Sequence, residues 1–189
     1  MKAARVISYI MVPPVLTLAV FIYLAVIYNK QTDTFTIDII NPVLFGFLLP
    51  VITFIIMRKK GKIVNDDATV KEERTVPYII GVIFCLSAFS VSYISGSHKI
   101  IGLMWIVLAV CSVLIIIINY YWKISAHMLG AAIPFSCVYF TAGLKALVFL
   151  PFLILLGWAR WKLGVHTISQ IIAGTLLGGS ITLFVLYCF

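Results

Sequence analysis

Acidic residues are scarce in this 189-residue chain. Asp33, Asp38, Asp66, Asp67, Glu72 and Glu73 stand against fourteen lysines and arginines. None of the six lies in the later two polar segments, so no carboxylate cluster there can hold a divalent cation. Charge of either sign is short as well, at 11% of residues, where a soluble domain carries roughly 25%. That excludes an ordinary soluble fold. Paired cysteines are also lacking. Cys85, Cys111, Cys137 and Cys188 sit inside apolar runs with neither metal-ligand nor redox spacing, and read as small core residues.

Hydrophobic residues fill the space, at 63% of the chain and a mean hydropathy of +1.16. The apolar runs are long and continuous rather than alternating, which selects membrane-spanning helices over a barrel. The net charge of +8 does not point to nucleic acid, because the basic residues lie beside apolar runs, where cations anchor helices and attract anionic headgroups. The start, MKAAR before VISYIMVPPVLTLAV, resembles a signal peptide. Its apolar run continues to Tyr28 without a small-residue cleavage pattern, so a retained first span is expected.

Seven apolar segments are expected, at about 7–28, 39–57, 77–95, 100–119, 125–143, 144–158 and 165–189. Pro13-Pro14 should kink the first. The sixth is short and interrupted by Pro151, so it must tilt or be shielded by neighbours. The fold class is all-α: a polytopic transmembrane bundle of six to seven spans forming one integral membrane domain over 1–189. Polar segments follow the second, fourth and sixth spans: KKGKIVNDDATVKEERTVP, YWKISAHM and ARWKLGVHT. Three two-helix hairpins return all of them to one side. Lys71, Arg74, Lys123, Ser125, His127, Arg160 and His166 can therefore meet at one membrane face.

An arginine fork suits phosphate oxygens. Two histidines can divide nucleophile and general-acid work. On a helix, His166 and Gln170 are four apart and share a face. The Gln170 amide oxygen can then accept from one ring nitrogen and leave the other to attack. This inventory suits phosphoryl transfer without a metal.

Arg160, five residues, His166, three residues, Gln170 resembles the third motif of the type 2 phosphatidic acid phosphatases, SRxxxxxHxxxD, within the superfamily shared with vanadium haloperoxidases. Ile124-Ser125-Ala126-His127 resembles their second motif, PSGH. Lys71-Glu-Glu-Arg74-Thr-Val-Pro77 loosely resembles the first, KxxxxxxRP. The resemblance covers about 71–179. It implies a metal-independent lipid phosphate or diphosphate phosphatase, a small bacterial membrane member with no cofactor. By it, His166 is the nucleophile and forms a phosphohistidine, His127 is the general acid, and Gln170 orients His166. Arg160, Arg74 and Lys71 hold phosphate oxygens, with Ser125 and the backbone from Ala126 binding the rest. Partners would be a phosphorylated membrane lipid (phosphatidate, a phosphatidylglycerol phosphate or a polyprenyl diphosphate) and the bilayer. The sequence departs from the pattern: Gln170 replaces Asp, Ala159 Ser, Ile124 Pro and Ala126 Gly, and Asp67 sits at the first motif's lysine position.

Plainer expectations stand beside these. His98, in the turn GSHK, is expected to be merely solvated. Lys123 and Lys162 read as interfacial anchors, and the run from Arg58 to Lys62 as a topology determinant. Gly174 and Gly178 have the spacing of tight helix packing. One alternative function is a weak or inactive lipid-phosphate-binding or transport protein on the same scaffold. Another is a structural subunit, which predicts that Arg160, His127 and His166 lie far apart. Location in a bacterial inner membrane is expected. Eleven basic residues on the site side against three opposite favour the cytoplasmic face, whereas the resemblance implies the outer face, and no side is assigned.

Overall fold

The structure, a computed structural model, describes residues 1–65, 67 and 70–189. Asp66, one of the six acids, lies outside them. Among the described residues every regular element is helical. They are α1 (Lys2–Ile10), α2 (Pro13–Asn29), α3 (Phe35–Asn41), a π-helical stretch (Pro42–Leu48), α4 (Leu49–Lys59), a 3-10 turn (Glu72–Arg74), α5 (Thr75–Ile94), α6 (Lys99–Tyr121), α7 (Ala126–Ala142), a 3-10 segment (Gly143–Phe149), α8 (Leu150–Lys162) and α9 (Ile168–Cys188).

Among the described residues, five helical stretches are long and apolar enough to cross a bilayer, or six if the bent pair α1–α2 is one span. The chain is thus an integral membrane protein. The first apolar run is not one kinked rod. Val12 is extended, and α2 starts afresh at Pro13, because a residue before proline avoids the α region while proline itself fits a first helical turn. α1 and α2 consequently meet at a 45° bend. α1 buries Ala4 and Ser8, one turn apart, and packs on α8.

The fifth and sixth runs form one 37-residue helical stretch, Ala126–Lys162. It is not straight. Gly143 closes α7 at φ +62°, where a side chain would strain the backbone. The chain then doubles back, and a Cβ on Gly157 of α8 would lie 3.7 Å from Met128 Cε at the start of α7. The short sixth run is thereby shielded, with Leu156 buried in a cluster with Met128 and Ala131. Pro151 falls in the first turn of α8 rather than interrupting it.

α7 and α9 form the tightest seam. A Cβ on Gly174 would lie 2.5 Å from the Ser125 carbonyl oxygen, and one on Gly178 2.5 Å from that of Leu129. Glycine at both positions lets the backbones touch. The main core centres on Trp105, stacked on Phe21 at 4.1 Å.

At the far end of the bundle, buried Asp38 accepts hydrogen bonds from Asn29 Nδ2 and, at 2.5 Å, from Ser97 Oγ. His98 is not merely solvated. It stacks on Tyr28 with centroids 3.9 Å apart and caps α6, its Nδ1 accepting from the Ile100 N–H at 3.3 Å. Of the cysteines, Cys85, Cys111 and Cys137 are buried as expected, but Cys188 is exposed, because α9 ends there.

Candidate functional site

The end of the bundle opposite Asp38 gathers the start of α5, the end of α6, the start of α7, the end of α8 and the start of α9. Hydrogen bonds tie these ends together. The Ser125 N–H donates to the Gln170 carbonyl at 3.1 Å, an approach the missing Cβ of Gly174 permits. Ser125 is wholly buried and N-caps α7, its Oγ accepting from the Met128 N–H at 3.4 Å. Its own hydroxyl proton stays available. Ala126 is the first residue of α7.

Arg160 ends α8, where a cation suits the helix dipole. It is 0% exposed. Its Nη1 donates to Ser8 Oγ of α1 and, at 2.6 Å, to Asp67 Oδ1. Its Nε and Nη2 are buried with no partner among the described residues. A buried guanidinium with two unsatisfied donors is costly, and an anion placed against them would remove that cost. The Ser8 backbone also hydrogen-bonds His127. One residue of α1 thus touches both Arg160 and His127.

Arg74 is 5% exposed. Its Nη1 donates to the Ile124 carbonyl at 3.5 Å and its Nη2 to the Asp67 carbonyl at 3.4 Å. The charges of Arg74 and Arg160 act on both His127 and His166. Arg74, Arg160, His127 and His166 therefore lie in one electrostatic neighbourhood. Lys71 is not brought into it. Its Nζ donates to the Tyr120 carbonyl at 2.9 Å, captured by an unpaired acceptor in the last turn of α6.

His166 lies before α9 rather than on it, so the shared helix face expected from sequence is not what joins it to Gln170. Gly164, at φ +69°, turns the chain after α8, and Thr167 caps α9 in a capping box with Gln170. The Gln170 Oε1 accepts from the Thr167 N–H at 3.2 Å and sits 3.2 Å from His166 Nδ1. An oxygen that accepts from a backbone N–H leaves only one role for Nδ1, which must donate. The proton is thereby held on Nδ1 and the lone pair of Nε2 is left uncommitted. Burial, with Arg160, Lys123 and Arg74 nearby, pushes the His166 pKa down to about 3 against the smaller opposing effect of Gln170. The ring is neutral at physiological pH.

Lys123 belongs to the cluster and is not a simple anchor. Its Nζ donates to the Val165 carbonyl at 3.0 Å. Burial, then Arg74 and Arg160, lower its pKa, with Asp67 opposing. With Trp161, His166, Ile168 and Gln170 it lines a hollow of about 710 Å³. An apolar cleft of about 520 Å³ between α7, α8 and α9 shares Trp161 and Ile168 with that hollow and continues along Gly157, Ile171 and Thr175. Among the described residues no three His, Cys, Asp or Glu side chains are placed to hold a metal.

Sequence reasoning missed Ser8, because α1 read as part of a span. The signal was present in the small residues Ala4 and Ser8, one turn apart on an otherwise amphipathic helix. No protein-family model matches the chain, and no curated protein or solved structure matches it significantly.

Proposed function

We propose that this protein is a metal-independent lipid phosphate or diphosphate phosphatase of a bacterial inner membrane, resembling the type 2 phosphatidic acid phosphatases. One observation carries the reading: a wholly buried Arg160 has two unpartnered donors, beside a neutral His166 whose Nε2 lone pair is uncommitted. The phosphoryl oxygens lie against Arg160, with Arg74 and Lys123 adding positive charge as the transition state forms. His166 Nε2 attacks phosphorus, the bond to the lipid oxygen breaks, and His127, which takes up a proton together with the incoming anion, protonates the departing oxygen. Water then attacks the phosphohistidine, with His127 taking its proton. The headgroup reaches Arg160 by way of the polar hollow at Lys123 and His166, while the apolar cleft that shares Trp161 and Ile168 with that hollow takes the tail. An amphiphile such as phosphatidate, a phosphatidylglycerol phosphate or a polyprenyl diphosphate fits both.

Phosphate release from a lipid panel with chelator present tests this. Wild type should release phosphate and His166→Ala should not. Wild type inactive across the panel would sink the proposal. A second reading, binding or transport without turnover, is favoured by Gln170, an amide that gives an imidazolium no counter-charge. Saturable lipid phosphate binding without a phosphohistidine would support it.

A further inference from the structure

The contact between Asp67 and Arg160 bears on how an anion reaches the site. Arg160 has no exposed surface, and the Asp67 side chain is 16% exposed. The carboxylate approaches Nη1 to 2.6 Å, a close charge-assisted contact of the kind a phosphate oxygen also makes with a guanidinium. Arg74 holds the same residue by its backbone carbonyl, so both arginines of the cluster engage Asp67. The remaining Arg160 donors, Nε and Nη2, are unpartnered, so the carboxylate satisfies only part of the fork. Asp67 stands seven residues before Arg74, inside the only long polar loop, so the contact is made by a connection rather than by a membrane helix.

We propose that Asp67 is an internal competitor for the anion site: its carboxylate holds the Arg160 Nη1 donor beside the two open ones, and a phosphoryl group that takes the whole fork displaces it. This rests on the reading of the cluster as an anion site. The carboxylate keeps a buried cation from standing alone, and it sets a threshold for the ligand. A headgroup must present more negative charge to Arg160 than one carboxylate does, through oxygens that reach Nε and Nη2 as well. A dianionic phosphate monoester or a diphosphate does so. A phosphodiester, with a single charge spread over two oxygens, does not. Asp67 is then a specificity determinant, selecting terminal phosphates over the diester lipids that make up the surrounding bilayer.

Tungstate, a phosphate-shaped dianion, is the probe, used with the full-length detergent-solubilised protein. Asp67→Asn removes the competing charge and keeps the side chain's size, so it should bind tungstate about tenfold more tightly than wild type, a difference near 1.4 kcal/mol. Asp67→Glu keeps the competitor and should stay within about threefold of wild type. Equal or weaker binding by a folded Asp67→Asn would overturn the proposal while leaving the anion site intact. No tungstate binding by wild type, Asp67→Asn or Asp67→Glu would remove the anion site and the proposal together.

Losing one partner of a buried pair weakens a fold, so a second measurement uses wild type alone. A water-soluble carbodiimide with an amine nucleophile labels accessible carboxylates. Saturating tungstate should raise labelling of Asp67 several-fold and leave Glu72 unchanged, since the Glu72 side chain is already 69% exposed. Asp67 labelling that tungstate leaves unchanged or lowers would overturn displacement.

Discussion

Ser8 and Arg160, 152 positions apart, are joined by a buried hydrogen bond that fastens the first helix to the end of the eighth. The Ser8 backbone hydrogen-bonds His127 as well. The site is therefore closed on one side by α1. Ser8→Ala removes a partner of a buried charged donor, which should cost about 1–3 kcal/mol. The thermal midpoint should fall and phosphate release should drop, whereas Ser8→Thr keeps the acceptor and should retain more of both. An unchanged midpoint in Ser8→Ala would show that the bond contributes nothing.

The Gln170 side chain serves two partners, His166 and the Thr167 backbone. Gln170→Leu should lose about 1 kcal/mol from the broken cap and a larger factor in turnover, as His166 can then place its proton on either nitrogen. Gln170→Glu keeps the acceptor and adds a negative charge, so the His166 pKa should rise from about 3. A two-dimensional nitrogen–proton spectrum of labelled histidine reads both tautomer and titration.

Stability should depend on acid in a definite direction. The folded-state pKa of His166, about 3, is below the ordinary value near 6.5, so the unfolded chain binds this proton first as pH falls. Above about pH 6.5 His166 imposes no penalty; between there and about pH 3 it opposes folding by up to about 1.4 kcal/mol per pH unit. The thermal midpoint should drop as pH is lowered from 7 to 5, and His166→Gln should flatten that drop. A slope identical in the two proteins would contradict the buried neutral ring.

The glycine seam makes a prediction independent of function. Gly174→Ala forces a Cβ to within 2.5 Å of the Ser125 carbonyl, so α7 and α9 must part. The cost should be about 1–3 kcal/mol, with Ser125 and His127 displaced. A Cβ on Gly81 meets nothing within 4 Å, so Gly81→Ala should be neutral or slightly stabilising. Equal thermal midpoints for the two variants would contradict the packing.

Filling the apolar cleft should separate substrates by tail length. A Cβ on Gly157 would lie 3.4 Å from Ile171 Cγ2, so Gly157→Phe projects a ring into the cleft that Ile171 lines. Each methylene denied burial costs about 0.8 kcal/mol, so KM for a long-chain phosphatidate should rise about tenfold or more. A short-chain analogue should be little affected. Equal losses on both would argue that the tail lies elsewhere.

Much of this was legible in the chain. Apolar runs long enough to span gave the helices, and the boundary between the fifth and sixth runs falls at Gly143, where the chain reverses. Counting hairpins brought Arg74, Lys123, Ser125, His127, Arg160 and His166 to one face because hydropathy alone fixes the parity of crossings. The capping box of Thr167 and Gln170 marks a helix start that leaves His166 outside α9, whereas the sequence reading puts His166 and Gln170 on one helix face. What hydropathy could not give is where a side chain turns once it arrives. Lys71 has enough reach for the site or for the end of α6, and the carbonyl of Tyr120 took it. Asp67 reads as a loop acid, and only the fold reveals its position against Arg160. The break before Pro13 was visible, but the docking of α1 on α8 is a packing choice that an amphipathic pattern does not specify.

The docking of α1 on α8 also orders biogenesis. A ribosome delivers Ser8 to the translocon before any other group of the site, yet the partners of Ser8 emerge more than a hundred residues later. Until α8 has been made, α1 has nothing to dock on and its small-residue face stays uncovered. The last membrane insertion events, rather than the first, turn a set of separate hairpins into a finished pocket.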